Sequence, residues 1–324
     1  MAYSIIYDGK DEATPHKDVY AKTAMELAAE DPDVIFLDAD LTNSSGASKL
    51  AAADPTRVIN CGVQEANMIG VAAGLSAAGK KPYAHSFGPF ASRRCFDQVF
   101  LSVAYAKNNV RIFGSDAGVT AAYNGGTHMP FEDMALMRAV PGSTVIDITD
   151  GVMLKEVLKM IKDRPGLTYI RSTRKKFKAV FGEGSKFEIG KGITLREGTD
   201  VTIVACGLMV GEAMRAAEIL EENRISAKVV NIFTVKPIDA DLIIQCANET
   251  GAIVVAENHN IIGGLCSAVS DVIVRNCPVP VEFVGVNDEF GEVGPQDYLM
   301  ERFGLTADNV VEKVKAVLIR TGKL

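Results

Sequence analysis

The chain has 324 residues, of which 48% are hydrophobic, and a formal net charge of -7. This length and composition allow a large buried core and suggest about two domains. The Lys and Arg residues are dispersed and outnumbered by acids, which argues against a nucleic-acid partner because such a partner needs a basic footprint.

The cysteines and the N-terminal segment bear on metal binding and on location. The six cysteines form neither CxxC pairs nor zinc-ligand spacings, so we expect buried, reduced thiols and no metal site. The first residues lack the basic start and apolar stretch of a signal peptide, and no apolar run has the length of a membrane span. These features predict a cytoplasmic protein that does not bind a membrane.

In the first part of the chain, short β-rich segments alternate with amphipathic helical ones. Strands are predicted at 34–40, 81–87, 110–116, 144–150 and 167–173, with helices at 64–78, 89–107, 131–139 and 151–162. Such alternation is typical of a parallel sheet covered by helices on both faces. We therefore predict an α/β parallel-sheet domain over residues 1–175.

The alternation breaks at 176–194, a basic and Gly-rich stretch that we interpret as a linker. The cluster RSTRKKFK (171–178) at its start is expected to be mostly solvated. Alternation then resumes, which predicts a second, smaller α/β domain over 195–324. Its strands are predicted at 201–207, 227–235, 252–258 and 279–286, and its helices at 209–223, 239–248, 262–276 and 308–320.

One acid, Glu65, heads the otherwise small and apolar run VINCGVQEANMIGVAAGLSAAG (58–79). By itself, an acid at a helix start is explained by the helix dipole. The next stretch, SFGPFASRRCFDQV (86–99), places Phe87 and Phe90 three residues apart at a strand-to-helix turn. Open parallel sheets bind ligands at such turns, so a ligand site is indicated here.

A third stretch carries polar residues on a long connection after a predicted strand. In GSDAGVTAAYNGGTHMPFEDMALMRAVPG, these are Ser115, Asp116, Asn124 and His128. Connections of this length without structure of their own are usually functional. The three stretches together therefore predict one site.

These stretches, in this order, resemble the transketolase family. GVQEANM, GGTHMPFEDMALMRAVPG and VVAENHNIIGGLCSAVSDVI are similar to the family patterns G-x-x-E-H-x-M, D-G-P-T-H-Q-P-x-E and E-E-H-N-I-I-G-G-L-G-S-A. The resemblance extends from about residue 14 to 320 and is to the C-terminal half of the family. It implies a pyrimidine-binding domain with the thiamine diphosphate-binding fold, followed by a transketolase C-terminal domain.

The resemblance implies roles for the cofactor-side residues. Glu65 matches the catalytic acid that hydrogen-bonds a pyrimidine nitrogen of thiamine diphosphate, and an apolar setting would raise the pKa of its carboxyl. Phe90 matches the aromatic residue that stacks on the aminopyrimidine, and Phe87 a second aromatic residue of that pocket. Asp40 matches a cofactor-side acid.

Six further positions match residues that bind the sugar substrate. His128 is also expected to be catalytic, and Arg171 to clamp the substrate phosphate with its planar guanidinium. The six positions are Lys17, Ser44, Ser115, Asn124, His128 and Arg171.

Five residues depart from the family pattern. Lys17 replaces an Arg, Ala66 and Ser115 each replace a His, Arg93 replaces an aromatic residue and Asn124 replaces an Asp. These changes alter the groups that contact the sugar, so we expect a substrate other than the usual pentose phosphates.

The sequence contains no GDG…N motif, the family signature that holds Mg²⁺ and the diphosphate. The resemblance therefore implies an N-terminal transketolase subunit with the pyrophosphate domain and the Mg²⁺ ligands, self-association of this chain and an α2β2 heterotetramer. The implied activity transfers a two-carbon ketol unit from a ketose (phosphate) to an aldose (phosphate). The alternatives are a 1-deoxyxylulose-5-phosphate synthase-like subunit, a 2-oxoacid dehydrogenase beta-like subunit, and a non-catalytic transketolase-like protein that binds a partner.

Overall fold

The computed structural model describes residues 2–324, in which two sheets form the centre of the fold. The strands are β1 (Val34–Asp38), β2 (Val58–Asn60), β3 (Lys81–Phe87), β4 (Val110–Ser115), β5 (Thr144–Asp147), β6 (Leu167–Arg171), β7 (Ile193–Arg196), β8 (Val201–Ala205), β9 (Ala227–Asn231), β10 (Thr234–Lys236), β11 (Ile253–Asn260) and β12 (Val281–Val286). One sheet has the order β10-β5-β6-β4-β3-β1-β2 and the other β12-β11-β8-β9-β7.

Both sheets are mostly parallel, with one antiparallel strand at an edge of each. These edge strands are β10, which pairs with β5, and β7, which pairs with β9. In β1, β4, β5, β6 and β8 every residue is buried, as expected where helices cover both faces of a parallel sheet. The predicted α/β class, with a larger sheet followed by a smaller one, is confirmed.

Helices cover the faces of both sheets. The α-helices are α1 (His16–Glu30), α2 (Thr42–Ser45), α3 (Ser48–Ala53), α4 (Glu65–Ala77), α5 (Gly88–Ala91), α6 (Phe96–Gln98), α7 (Asp133–Ala139), α8 (Gly151–Met160), α9 (Met209–Glu222), α10 (Ala240–Thr250), α11 (Leu265–Asn276), α12 (Gln296–Arg302) and α13 (Ala307–Arg320). Short 3-10 turns lie at Pro55–Arg57, Arg93–Cys95, Gly118–Asn124 and Gly126–His128, and Val99–Tyr105 is a π-helix. Among the helices within residues 2–324, none is long and apolar enough to cross a membrane.

The helix predicted at 89–107 is instead broken into short pieces. Ser92 has φ -118° and ψ -87°, outside the helical region, and its Oγ donates to the carbonyl of Gly88 at 2.7 Å. A serine that bonds back to the preceding turn competes with the helical hydrogen bonds. The break lets the successive residues Arg93 and Arg94 leave the backbone towards different partners.

The single strand predicted at 227–235 is two strands in different sheets. Asn231 ends β9 in the second sheet, and Thr234 begins β10 in the first. A continuous apolar run does not reveal where a chain changes sheets. The second α/β region thus supplies an edge strand to the first sheet, which fixes the two regions against each other.

The stretch predicted as a solvated linker is packed. Phe177 and Phe181 are buried, and the backbone amides of Ile6 and Glu12 donate to the carbonyls of Val180 and Phe177. The N-terminal residues therefore cover this stretch and hold it against the first sheet. The domain limits at 175 and 195 stay a prediction.

Candidate active site

The site residues gather where three neighbouring strands end. β1, β3 and β4 lie side by side and parallel, so their carboxyl ends share one edge of the sheet. Connections from these ends carry Ser44, Phe90 and His128 respectively. The predicted site therefore lies on one edge of the fold.

A buried hydrogen-bond chain joins the ends of these three strands. Asp38 Oδ2 lies 2.9 Å from His85 Nδ1, and His85 Nε2 lies 3.0 Å from Ser115 Oγ. Asp38 also accepts from the backbone amide of Leu41 and from Ser45 Oγ, which fixes the connection after β1. His85 thus links the ends of all three strands. We did not predict this role of His85, although a histidine within a strand of a buried parallel sheet indicates one.

Contrary to the prediction, the side chain of Ser115 does not face the site. Its side chain is fully buried and contacts His85. The next residue, Asp116, has φ +60° and forms an ion pair with Arg174, whose Nε lies 2.9 Å from Oδ1 and 2.8 Å from Oδ2. Burial raises the pKa of Asp116, and the charge of Arg174 opposes that shift. Of these two residues, Asp116 contacts Arg174 and Ser115 contacts His85.

The prediction that Arg171 clamps substrate phosphate is wrong. Its side chain is fully buried, with Nε 2.9 Å from Asp133 Oδ2 and Nη1 3.2 Å from Asp147 Oδ2. Its Nη2 donates to the carbonyls of Pro130 and Asn258, at 3.2 and 3.0 Å. Desolvation opposes its charge, yet the two aspartates hold the pKa of Arg171 above its ordinary value. Arg171 joins β5, β6 and the end of β11 to the loop after β4, and its side chain is not exposed.

Arg174, three residues further on, has the properties predicted for Arg171. Its side chain is 29% exposed, and its guanidinium carbon lies 4.9 Å from the centroid of the Phe87 ring. Its Nε donates to Asp116 Oδ1, and the two terminal nitrogens of Arg174 have no hydrogen-bond partner among residues 2–324. Held from two sides, Arg174 presents a planar pair of donors that suits a tetrahedral anion.

Arg174 lines a cavity of about 820 Å³ that is rich in basic groups. The predicted substrate residues Lys17 and Ser44 line the same cavity, as does Lys175. Burial lowers the pKa of Lys175, an effect that Asp116 opposes. Four cations and two acids surround this space: Lys17, Arg174, Lys175 and Lys176 against Asp11 and Asp297. The lining of this cavity therefore has an excess of positive charge, which favours an anion.

Glu65 is the first residue of α4 and is almost fully buried. Its Oε1 accepts from Ser86 Oγ at 3.0 Å and its Oε2 from Arg94 Nη1 at 2.8 Å. The guanidinium carbon of Arg94 lies 3.7 Å from the centroid of the Phe90 ring. The setting of this carboxyl is thus more polar than the apolar one predicted, and sequence reasoning missed Arg94 entirely.

Phe87, Phe90 and His128 form an aromatic wall beside Glu65. The His128 ring centroid lies 4.9 Å from that of Phe90, edge to face, and 5.8 Å from that of Phe87. His128 Nδ1 lies 2.9 Å from Thr127 Oγ1. Burial lowers the pKa of His128, although the charge of Asp116 opposes the shift. Burial therefore favours the neutral ring, which can donate or accept a hydrogen bond.

Arg93 holds the turn that carries His128. Its Nη1 lies 2.5 Å from Glu132 Oε1, and its Nη2 donates to the carbonyl of Thr127 at 3.0 Å. Arg93 therefore ties the turn after Ser92 to the segment that carries His128.

The remaining two predicted residues, Asp40 and Asn124, are exposed on the connections after β1 and β4. Asp40 Oδ1 accepts from Asn60 Nδ2 at 2.9 Å, and within residues 2–324 no contact joins either side chain to Glu65. Their roles stay predictions. In the same part of the chain, no group of three or more His, Cys, Asp or Glu residues could hold a metal ion.

The chain is similar to known proteins over nearly its whole length. The family model for the transketolase pyrimidine binding domain matches residues 14–179, and that for the transketolase C-terminal domain matches residues 190–310. The chain is 49% identical to the 6-deoxy-6-sulfo-D-fructose transketolase subunit SqwH of Clostridium sp. (strain MSTE9), over 94% of this chain and 94% of that protein.

Two further proteins are similar along nearly their whole length. One of the subunits of the apulose-4-phosphate transketolase of Phocaeicola vulgatus is 32% identical, over 90% of this chain and 93% of that one. A solved structure described as a split gene transketolase, inactive beta4 tetramer, has a TM-score of 0.87 and 42% identity, and covers 95% of this chain and 99% of its own.

Proposed function

Because the chain belongs to the transketolase family, we propose that it is the C-terminal subunit of a split, thiamine diphosphate-dependent transketolase. The enzyme transfers a two-carbon ketol unit from a ketose to an aldose. The observation that carries the proposal is the buried Glu65 carboxyl, joined through Arg94 to the half-buried ring of Phe90, at the strand ends that also present Arg174 to a basic cavity.

The residues around Glu65 fit the pyrimidine ring of the cofactor. A planar group with N–H donors already lies there: Arg94 donates to Glu65 and covers the face of Phe90. An aminopyrimidine needs the same two partners, a carboxyl at a ring nitrogen and an aromatic face. When bound, thiamine diphosphate supplies the electron-sink chemistry that breaks the bond beside a ketose carbonyl.

The residues of this chain orient the reactants and hold protons. Ser86 fixes the Glu65 carboxyl, which would share a proton with the pyrimidine nitrogen when the cofactor is bound. Phe87 and Phe90 would line the place of the ring and exclude water from it. The neutral His128 faces the sugar with Nε2, since its Nδ1 is engaged by Thr127, and hydrogen-bonds a substrate hydroxyl.

The substrate is a sugar with a terminal anion, bound by Arg174 and Lys175 together with Lys17 and Ser44. The names of two relatives specify a sulfonated and a phosphorylated sugar. Sulfonate and phosphate are both tetrahedral oxyanions that suit the two free donors of Arg174. We expect this chain to act on one of these two classes.

The Mg²⁺ ion and the diphosphate are held by a partner chain that carries the pyrophosphate domain. This is supported by the relatives, which are named as subunits or as a split-gene enzyme. We also propose that two copies of this chain pair through the π-helix beside α4. That helix exposes Phe100, Leu101 and Tyr105, at 36%, 49% and 79% of their surfaces, and a second copy would cover this apolar face.

Reconstitution tests the proposal. This chain is mixed with a separately purified candidate partner that carries the GDG…N motif, in the presence of thiamine diphosphate and Mg²⁺. We expect ketol transfer from the mixture, no transfer from either chain alone, and cofactor binding that needs both. A mixed complex that forms but binds no thiamine diphosphate would favour the non-catalytic alternative.

A further inference from the structure

We infer that Arg94 is a further residue of the cofactor site: its guanidinium fills the place of the pyrimidine ring between Glu65 and Phe90 until the cofactor displaces it. This inference rests on the proposed function, because that function assigns the ring to these two partners. It adds a residue that sets how tightly this chain binds the cofactor.

Two contacts define this place. Arg94 Nη1 lies 2.8 Å from Glu65 Oε2, and the guanidinium carbon lies 3.7 Å from the Phe90 centroid. A planar cation over an aromatic face at this distance is in full contact with it. The face of Phe90 that the guanidinium covers cannot also contact a second flat group. Arg94 and the pyrimidine ring therefore exclude each other.

Arg94 also supplies the counter-charge of the buried Glu65 carboxylate. The Glu65 side chain is 1% exposed, and its only other side-chain partner among residues 2–324 is the neutral hydroxyl of Ser86. A buried carboxylate without a counter-charge is strongly unfavourable. The guanidinium neutralises Glu65 in this chain until the cofactor binds, and so preserves the shape of the site.

Arg94 is free to leave. Its side chain is 43% exposed, and within the described part of the chain its guanidinium has no hydrogen-bond partner other than Glu65. On displacement it enters water, so the net cost is the loss of one ion pair and one cation–π contact. Only conformers in which Arg94 is displaced can bind the ring. The apparent dissociation constant of the cofactor therefore rises with the fraction of molecules in which Arg94 still contacts Glu65 and Phe90.

The neighbouring Arg93 provides a matched control. It lies in the same turn with a side chain that is 44% exposed, but it contacts Glu132 and the carbonyl of Thr127 instead of Glu65. Removing Arg93 takes away the same charge at nearly the same position and leaves the Glu65–Phe90 site filled. Only the Arg94 variants should change the competition for the ring site.

The test measures the dissociation constant of thiamine diphosphate for the assembled two-subunit enzyme by calorimetry, at fixed Mg²⁺. Arg94→Ala should bind the cofactor about fivefold or more tightly than wild type, since the competing occupant is gone. Arg94→Lys, which keeps the charge but cannot stack as a plane, should fall between the two. Arg93→Ala, which releases the turn that carries His128 but leaves Arg94 in place, should not tighten cofactor binding.

Thermal unfolding of this chain gives a second readout. Without cofactor, Arg94→Ala should melt below wild type, because Glu65 loses its counter-charge. In the assembled enzyme saturated with cofactor, that difference should shrink. Unchanged or weaker cofactor binding in both Arg94 variants overturns the inference. A wild-type complex that binds no thiamine diphosphate contradicts the proposed function instead, so the two failures are distinct.

Discussion

Asp116 and Arg174 form the ion pair on which the substrate side of the site depends: Arg174 Nε lies 2.9 Å from Asp116 Oδ1, on a carboxylate that is itself buried. The pair uses the inner edge of the guanidinium and leaves its two terminal nitrogens for an anion. Phe87 supports the guanidinium from a second direction, with its ring centroid 4.9 Å from the guanidinium carbon.

Replacing Arg174 should weaken binding of anionic sugars selectively. A hydrogen bond to a charged group contributes about 1.5–3 kcal/mol, which corresponds to roughly a 10- to 100-fold rise in KM for Arg174→Ala. The measurement compares a ketose phosphate or sulfonate with the same ketose without its anion. For the neutral sugar, KM should hardly change. An equal effect on both sugars would remove Arg174 from the anion site.

Replacing Asp116 should act through Arg174. In Asp116→Asn the amide oxygen can still accept from Nε, but the charge that orients the guanidinium is lost, so KM for the anionic sugar should rise by several-fold, less than in Arg174→Ala. The double variant Asp116→Asn, Arg174→Ala should be no worse than Arg174→Ala alone. Additive losses in this cycle would show that the two residues act independently.

Arg171→Ala should damage the fold and not the substrate specificity. Removal of Arg171 leaves Asp133 and Asp147 buried without their counter-charge, which typically costs about 3–5 kcal/mol. Unfolding in urea should show this loss of stability, and any residual activity should keep the wild-type ratio of KM values for anionic and neutral sugars. A variant of wild-type stability with a raised KM for the anionic sugar would restore the original clamp assignment.

His128 should set an acid limb in the pH profile of activity. Burial lowers its pKa from the ordinary 6.5, so the ring becomes protonated only in more acidic solution. If the neutral ring is the active form, kcat/KM should rise with pH through a midpoint below 6.5. His128→Gln should remove this limb. A limb that lies above 6.5, or that persists in the variant, would exclude His128 as its origin.

The two errors in the site have a shared physical cause. Ser115 is the last residue of β4 and contacts His85, whereas Asp116 follows the strand with φ +60° and its carboxylate contacts Arg174. Likewise RSTR offers two arginines, and only the position where β6 ends, at Arg171, determines which is buried. A resemblance in sequence locates such a motif to within a few residues, whereas the role of each side chain depends on where the strand stops.

Other parts were predictable because local pattern decides them. The parallel strands and most of the long helices follow from apolar periodicity, and the carboxyl edge of the sheet brings Glu65, Phe90 and His128 together. The hydrogen bonds that join Asp38, His85 and Ser115 form between residues far apart in sequence. The contact of Arg94 with Glu65 does so too. The pairing of β10 with β5 in the first sheet also joins residues far apart in sequence, and no periodicity predicts it.

Turnover by the assembled enzyme with Glu65→Gln tests the central claim most directly. The amide is nearly the same size and can accept from Ser86, so the fold and the assembly should be retained, but it cannot share a proton with the pyrimidine nitrogen. General acid–base catalysis typically contributes about 10²- to 10⁴-fold, so kcat should fall by at least about 100-fold while the complex with the partner still forms. Wild-type turnover in that correctly assembled variant would contradict the assignment of Glu65 and, with it, the location of the active site.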